Sequence, residues 1–457
     1  SIASIETTRG AKGDSDRGHR SAWWIAATSN HHDYITGTAP DRVALGEQTR
    51  WLHAALADTA RTDTLGEVPE RPTRSDQADH DQPPPPSWSR DGTLVTVTTG
   101  SLTAVFDERW GGALVSLTDE FGIEQLRAPS LELRSYAESG GLWRMGHEFR
   151  GGRWALGDRT MLHPAEISVT RCDDTLRLTI HGRLDDHPSE IGIEVTSDRL
   201  ELLVHTSVSA PKRRTVTLAS HQRSPVASLA MHQPGGMVTR ALRRWYEPTF
   251  WPLHSFAAAL PDTDAGTGEE ATALVIATAA PTALHAAESG TVEVVVARTA
   301  TKELAFGTIP VLAPAWGRKW GTQHADLALR WVDRPDPATA ISVGRDITQR
   351  VDCAAGRRAP SWLVEVDNPL VEVTTVKVAD RGDGIIVRLR SWAPPGLPQR
   401  VTLRVAHAAR AEVIAAWLAD SRERDLDALR VSDGAVRLEI ERHVTTVRIS
   451  LRPLGDR

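Results

Sequence analysis

Leu176-Arg-Leu-Thr-Ile180, Ile191-Gly-Ile-Glu-Val195 and Leu200-Glu-Leu-Leu-Val204 follow one another in quick succession. In the first two, apolar side chains return at every second position. That period places them on one face of an extended chain. Short runs of this kind, parted by Asp, Pro and Gly, predict antiparallel strands in sheets packed face to face. The pattern extends in both directions. Upstream, Leu94, Val95 and Val97 pair naturally with Leu102, Ala104 and Phe106 around a Gly100-Ser101 turn. Downstream come Val292–Val296, Val371–Val378, Gly384–Leu389, Val401–Val405, Val436–Ile440 and Val447–Leu451. No internal repeat accompanies them, which argues against a propeller or solenoid.

The expected fold is therefore mainly β, with large antiparallel β-sandwich domains preceded by a short helical segment. Residues 1–21 read as a polar tail or loop and residues 22–60 as helical. The helical reading rests on the apolar opening Trp23-Trp24-Ile25 and on a helix start at Thr38-Ala39-Pro40-Asp41; there Thr is placed to cap and Pro sits in the first turn. Residues 61–92 form a Pro-rich linker containing Pro83–Pro86, where fixed φ and missing donors favour extended, solvated chain. Residues 93–360 make a large β-sandwich domain and 361–457 a smaller C-terminal β domain.

A chain of 457 residues exceeds one compact core and calls for two or three domains. Lys and Arg number 53 against 59 Asp and Glu, a net charge of −6. That balance argues against a nucleic-acid partner, which would need a dominant basic surface. No apolar run approaches the roughly 20 residues of a membrane helix. Two cysteines cannot build a disulfide framework, and with no secretory apolar region in view the expected location is cytoplasmic. Tryptophan is abundant, 15 against 3 Tyr and 6 Phe. Indoles serve in cores and also where sugar faces stack.

Few motifs carry chemistry. No nucleophile elbow, Walker loop or dinucleotide fingerprint is present. His221-Gln222-Arg223, His232 and His324 are scattered among predicted strands. No carboxylate pair in the β region stands out as an acid and a nucleophile. His31-His32-Asp33 is the most informative cluster. An imidazole suits Zn²⁺ and a carboxylate can hold a hydroxyl, but two ligands do not make a metal site. By itself the trio fits a capping role as well as a binding one.

The run Trp23-Trp24-Ile25-Ala26-Ala27-Thr28-Ser29-Asn30-His31-His32-Asp33-Tyr34-Ile35-Thr36-Gly37-Thr38 resembles the central signature of glycoside hydrolase family 38, the α-mannosidases. Trp245–Leu253, Val294–Thr299, Gly321–His324 and Val371–Leu389 are similar to later family landmarks. The resemblance implies a barrel-like α/β catalytic domain, then a helical bundle, then large sandwiches. On that plan residues 22–60 are a remnant of the bundle. The nucleophile, the acid/base carboxyl and three of four zinc ligands would then lie in an N-terminal domain or partner chain outside these 457 residues. His32 would be the remaining Zn²⁺ ligand, Asp33 would contact sugar hydroxyls, and Trp251 would form a wall near the substrate. The implied function is a retaining α-mannosidase acting on α-mannoside glycans, present as its C-terminal portion, with no catalytic residue in this chain and no activity alone. The alternative is a non-catalytic carbohydrate-binding or assembly module of β-sandwich type.

Overall fold

The computed structural model describes Arg50, His53, residues 85–137 and, with short interruptions, 164–453. Over these residues the chain is mainly β, as the alternation predicts. Arg50 and His53 are helical; the rest of the expected helical segment, the tail and most of the linker lie outside the described residues.

A nine-stranded antiparallel sheet is the backbone of the larger unit. It runs edge to edge through Gly236–Ala241, Ser228–Gln233, Phe256–Leu260, Thr272–Thr278, Gly321–Asp333, Glu201–Ala210, His187–Val195, Thr175–Leu184 and Glu166–Cys172. A five-stranded sheet packs on it in the order Trp251–Leu253, Thr282–Ala286, Thr291–Arg298, Arg214–His221 and Glu132–Ala137. Between them lie Leu178, Ile193, Val204, Leu218, Val294 and Leu329, all at most 2% exposed. A four-stranded meander, Ser87–Asp91 to Ala113–Asp119, adds Val95, Val97, Phe106 and Leu117 to the same core. Each such Val, Leu or Phe contributes about 1.5–3 kcal/mol on burial.

The C-terminal unit is a second sandwich with its own core, built on Val373, Val387, Leu389, Leu403, Val436 and Ile449. One strand, Asp425–Ser432, joins its two layers. Its first half pairs with Ala411–Ala419 and its last residues with Ala435–Ile440, so it turns the corner between sheets. Asp433 and Gly434, both at positive φ, close the hairpin that follows; Asp-Gly is the pair that such a turn favours.

Two elements depart from the sequence reading. Ser87–Asp91, inside the expected linker, is a strand paired with Leu94–Thr98. Pro337–Ala354, inside the expected β domain, is an α-helix. Pro337 opens it, where a missing N–H costs nothing. Ala340, Gly344, Ile347 and Val351 recur at spacings of four, three and four, and the helix lays this stripe on the nine-stranded sheet. Its β-branched residues and central glycine mask that period in the sequence. Ionic contacts fix it as well: Glu201, 1% exposed, binds Arg330 Nε at 2.7 Å and Arg350 at 3.4 Å, and Arg330 also binds Asp346 at 2.7 Å.

Side chains from both sandwiches meet in an aromatic seam. Trp392 of the C-terminal unit packs edge-on to His232 with centroids 4.3 Å apart and lies 5.7 Å from Phe256. Arg390 stacks over Trp392 at 4.7 Å and approaches His232 Nε2 at 3.3 Å. Burial, reinforced by Arg390 and His254, pushes the His232 pKa down to about 3, so the ring is neutral. Its Nδ1 meets the Ser255 hydroxyl.

Candidate functional site

Among the described residues, the densest group of buried ionisable side chains lies on the five-stranded sheet. Register explains how it forms. His285, Glu293, Ala219 and Glu132 stand opposite one another in one row across four strands. Ala219 is small, so it leaves room between the two carboxylates. Arg134, one row along, fills that room. Its Nε and one terminal nitrogen bind Glu132 Oε2 at 3.1 and 2.6 Å, and the other terminal nitrogen binds Glu293 Oε1 at 2.7 Å. Glu293 also accepts from Tyr136 Oη at 3.0 Å and Thr217 Oγ1 at 2.7 Å. Arg134 further donates toward His221 Nε2 at 3.1 Å, and His221 Nδ1 meets Thr291 Oγ1 at 3.1 Å.

The charge states follow from this geometry. Burial alone would raise the Glu293 pKa, but Arg134 and the Thr217 hydroxyl outweigh it and hold the carboxyl below the usual range. Burial works against the Arg134 cation, and Glu293 and Glu132 more than restore it. Burial, together with the Glu293 charge, pushes the Tyr136 phenol well up. Glu293 is thus a carboxylate with both oxygens engaged. It has no proton to give as a general acid and is not free to attack as a nucleophile. The cluster acts as a rigid polar clamp on three strands.

Trp251 occupies the edge strand of the same sheet. It stands opposite Leu284, in the row of Val294, Leu218 and Leu133 that faces the sandwich core. It is 8% exposed, and the Arg240 guanidinium lies 5.2 Å from its ring centroid. Glu293 and Arg134 project from the opposite face. His32 and Asp33, the other two site residues drawn from the resemblance, lie outside the described residues, as does His31. Among the described residues no group of three or more His, Cys, Asp and Glu converges as a metal site, so they supply no zinc-binding set. No helix among them is long and apolar enough to cross a membrane.

Sequence reasoning did not single out the Arg134 cluster. Its trace is the alternation Glu132-Leu-Arg-Ser-Tyr136. That alternation marks a polar face without saying whether the face is wet or buried.

No protein-family profile and no curated protein matches the sequence. Solved structures do match. An α-mannosidase from Enterococcus faecalis V583 aligns over 79% of this chain and 42% of its own, with TM-score 0.57 and 14% identity. A protein of glycosyl hydrolase family 38 from Enterococcus faecalis aligns over 93% of this chain and 65% of its own, with TM-score 0.63 and 11% identity. The fold of this chain is similar to that of the matched portions of these two structures. The chain spans less than two thirds of the length of either structure. At these identities the likeness to family 38 is one of fold.

Proposed function

We propose that the chain is the C-terminal portion of a retaining, α-mannosidase-like glycoside hydrolase acting on α-mannoside glycans. The supporting observation is the likeness of fold to a family 38 glycosyl hydrolase over 93% of the chain. The signature Trp23–Thr38, with His31-His32-Asp33 at its centre, points the same way.

In this reading the chemistry is divided. Retaining hydrolysis needs two carboxyls about 5–5.5 Å apart, one of them free to attack the anomeric carbon. Glu132 and Glu293 are clamped by Arg134, which supports placing the catalytic pair in an upstream domain or partner chain. From the present chain His32 gives one nitrogen to Zn²⁺, and the metal when bound holds and polarises sugar hydroxyls. Asp33 accepts hydrogen bonds from the sugar. Trp251, 8% exposed, packs the core of the larger unit and is left out of this reading. With two cysteines and no disulfide framework, the cytoplasm is the proposed location.

The test pairs two preparations. The 457-residue chain alone is expected to leave an aryl α-mannoside unhydrolysed above buffer. Co-expression with the catalytic domain encoded upstream is expected to give metal-dependent turnover. Robust turnover by the isolated chain would place a complete site within it. A reassembled protein that ignores α-mannosides would overturn the substrate assignment.

A further inference from the structure

Thr375, Arg388, Thr446 and Ala419 stand opposite one another in one row across the strands Val371–Val378, Ile385–Ser391, Val444–Pro453 and Ala411–Ala419. Val387 and Val447, in the adjoining row, point the other way into the core of the C-terminal sandwich, so Thr375, Arg388 and Thr446 lie on its outer face. We propose that this row binds a phosphate group, held by the Arg388 guanidinium between the two threonine hydroxyls.

The donors of the row are free, whereas the cations around it are not. Among the described residues neither the Arg388 guanidinium nor the Thr375 or Thr446 hydroxyl has a hydrogen-bond or ion-pair partner; Thr374 Oγ1 reaches only the Arg388 carbonyl, at 3.2 Å. On the same face Lys377 binds Glu423 at 2.7 Å and Asp380 at 3.0 Å, and Arg390 binds Glu372 at 2.9 Å. Arg448 binds Asp425 Oδ1 at 2.6 Å and stacks on Trp417. The carboxylates beside the row are thus taken by other cations, and Arg388 stands among three like charges with no counterion of its own.

The surface here is packed rather than bare. Ile386 projects from the same face, opposite Lys377 and Arg448, yet is fully buried, and Thr446 is 9% exposed. Long side chains therefore fold over the sheet, and Arg388 is half-buried among them. An unpaired guanidinium in such a place carries a desolvation cost that an anion offsets. Ala419, small and opposite Thr446, leaves space beside the hydroxyl. The donor set selects the ligand. Residues directly opposite one another in an antiparallel pair sit about 4.5–5.5 Å apart, so a hydroxyl flanks the guanidinium on each side. The fork offers parallel N–H groups to two oxygens of one anion, and the hydroxyls donate to those that remain. A phosphate group supplies both the charge and enough acceptor oxygens. A lone carboxylate fills the fork and leaves the hydroxyls idle, and a neutral ligand leaves the cation unmatched. Inorganic phosphate and a phosphomonoester share this chemistry.

The experiment titrates the full chain with inorganic phosphate, with phenyl phosphate and, at matched ionic strength, with sodium chloride, read by phosphorus NMR and by unfolding temperature. Saturable binding of a phosphate is expected, with no equal response to chloride. Arg388→Gln should weaken it about tenfold or more, and Thr446→Val, which exchanges the hydroxyl for a methyl, about threefold. Arg430→Gln, at an exposed position on the other sheet, should leave it unchanged. Tighter binding of phenyl phosphate marks a phosphomonoester site and tighter binding of inorganic phosphate a free-phosphate site; both support the row. Should Arg388→Gln fail to fold, Arg388→Lys, which keeps the charge and loses the fork, takes its place with the same expected direction. No saturable binding, a response matched by chloride, or equal affinity in wild type and the Arg388 variant would overturn the site. The readout is independent of glycoside turnover, so this proposal and the mannosidase reading fail separately.

Discussion

Arg134 reaches Glu293 at 2.7 Å across an intervening strand, over Ala219, while holding Glu132 on its other side. The bridge ties the strands Glu132–Ala137 and Thr291–Arg298, which are not hydrogen-bond neighbours in the sheet. Removing one partner of a buried ion pair costs far more than the pair itself contributes, because the other charge is left uncompensated. Glu293→Ala also strips the acceptor from Tyr136 and Thr217. It is expected to destabilise the large sandwich by about 3–5 kcal/mol. Urea denaturation followed by Trp fluorescence reads the loss. A change under 1 kcal/mol would mean the cluster is solvated.

The same carboxylate sets a pH dependence. Its folded pKa lies below the unfolded value of about 4.3. The unfolded chain therefore binds more protons as the medium is acidified. Stability from Glu293 is complete above the unfolded pKa and is lost as pH falls through the folded one. The unfolding temperature should drop steeply below about pH 4. In Glu293→Gln, which cannot titrate, the acid limb should be shallower although the protein starts less stable. Parallel acid limbs in the two proteins would remove Glu293 from the account.

Gly344 sets helix propensity against packing. Alanine would gain about 1 kcal/mol in helix propensity. Its Cβ, however, would lie 2.2 Å from Phe256 Cδ2. Phe256 is 1% exposed and already hemmed in by His232 and Trp392. Overpacking costs about 1–3 kcal/mol, so Gly344→Ala is expected to destabilise on balance. Phe256→Leu in the same background should recover part of the loss, and a double-mutant cycle measures the coupling. Additive effects would show that helix and sheet do not touch there.

His232 gives a second acid signature, with a wider window. Its folded pKa of about 3 lies below the ordinary value of 6.5. Between those values the unfolded chain takes up a proton that the folded one refuses, so stability declines as pH falls across the window. Two-dimensional NMR of the folded protein should show the His232 ring in its neutral form from pH 7 down to pH 5. Protonation within that range would show that the seam between the sandwiches opens to water.

The strands that read cleanly from sequence are those buried on one face. Thr175–Leu184 alternates between buried apolar and wetter positions, as its residues foretell. Thr272–Thr278 and Phe256–Leu260 are buried along their whole length, between the core and the helix. Their Ala-rich, unbroken apolar runs carry no period of two, and only long-range packing decides them. Ala411–Ala419 has no clean period of two and is held as a strand between Val444–Pro453 and Asp425–Ser432. The Arg134 cluster was hidden for a related reason. Arg134 and Glu293 are 159 residues apart in the chain, and spacing cannot register a contact made through sheet order.

The sharpest expectation concerns the three neighbours His31, His32 and Asp33. On a helix from Ala22, positions 24, 28 and 32 would share a stripe while 31 turns about 100° away. One imidazole should then face the metal and the other should not. In the enzyme reassembled with its catalytic domain, His32→Ala should reduce zinc retention and turnover together. Asp33→Ala should keep the metal but raise KM and lower kcat, because sugar hydroxyls lose an acceptor. His31→Ala should act, if at all, through stability. Metal analysis alongside kinetics separates the three. Zinc lost equally from all of them, or kept when His32 is removed, would dismiss His32 as the ligand and leave the trio a structural cap.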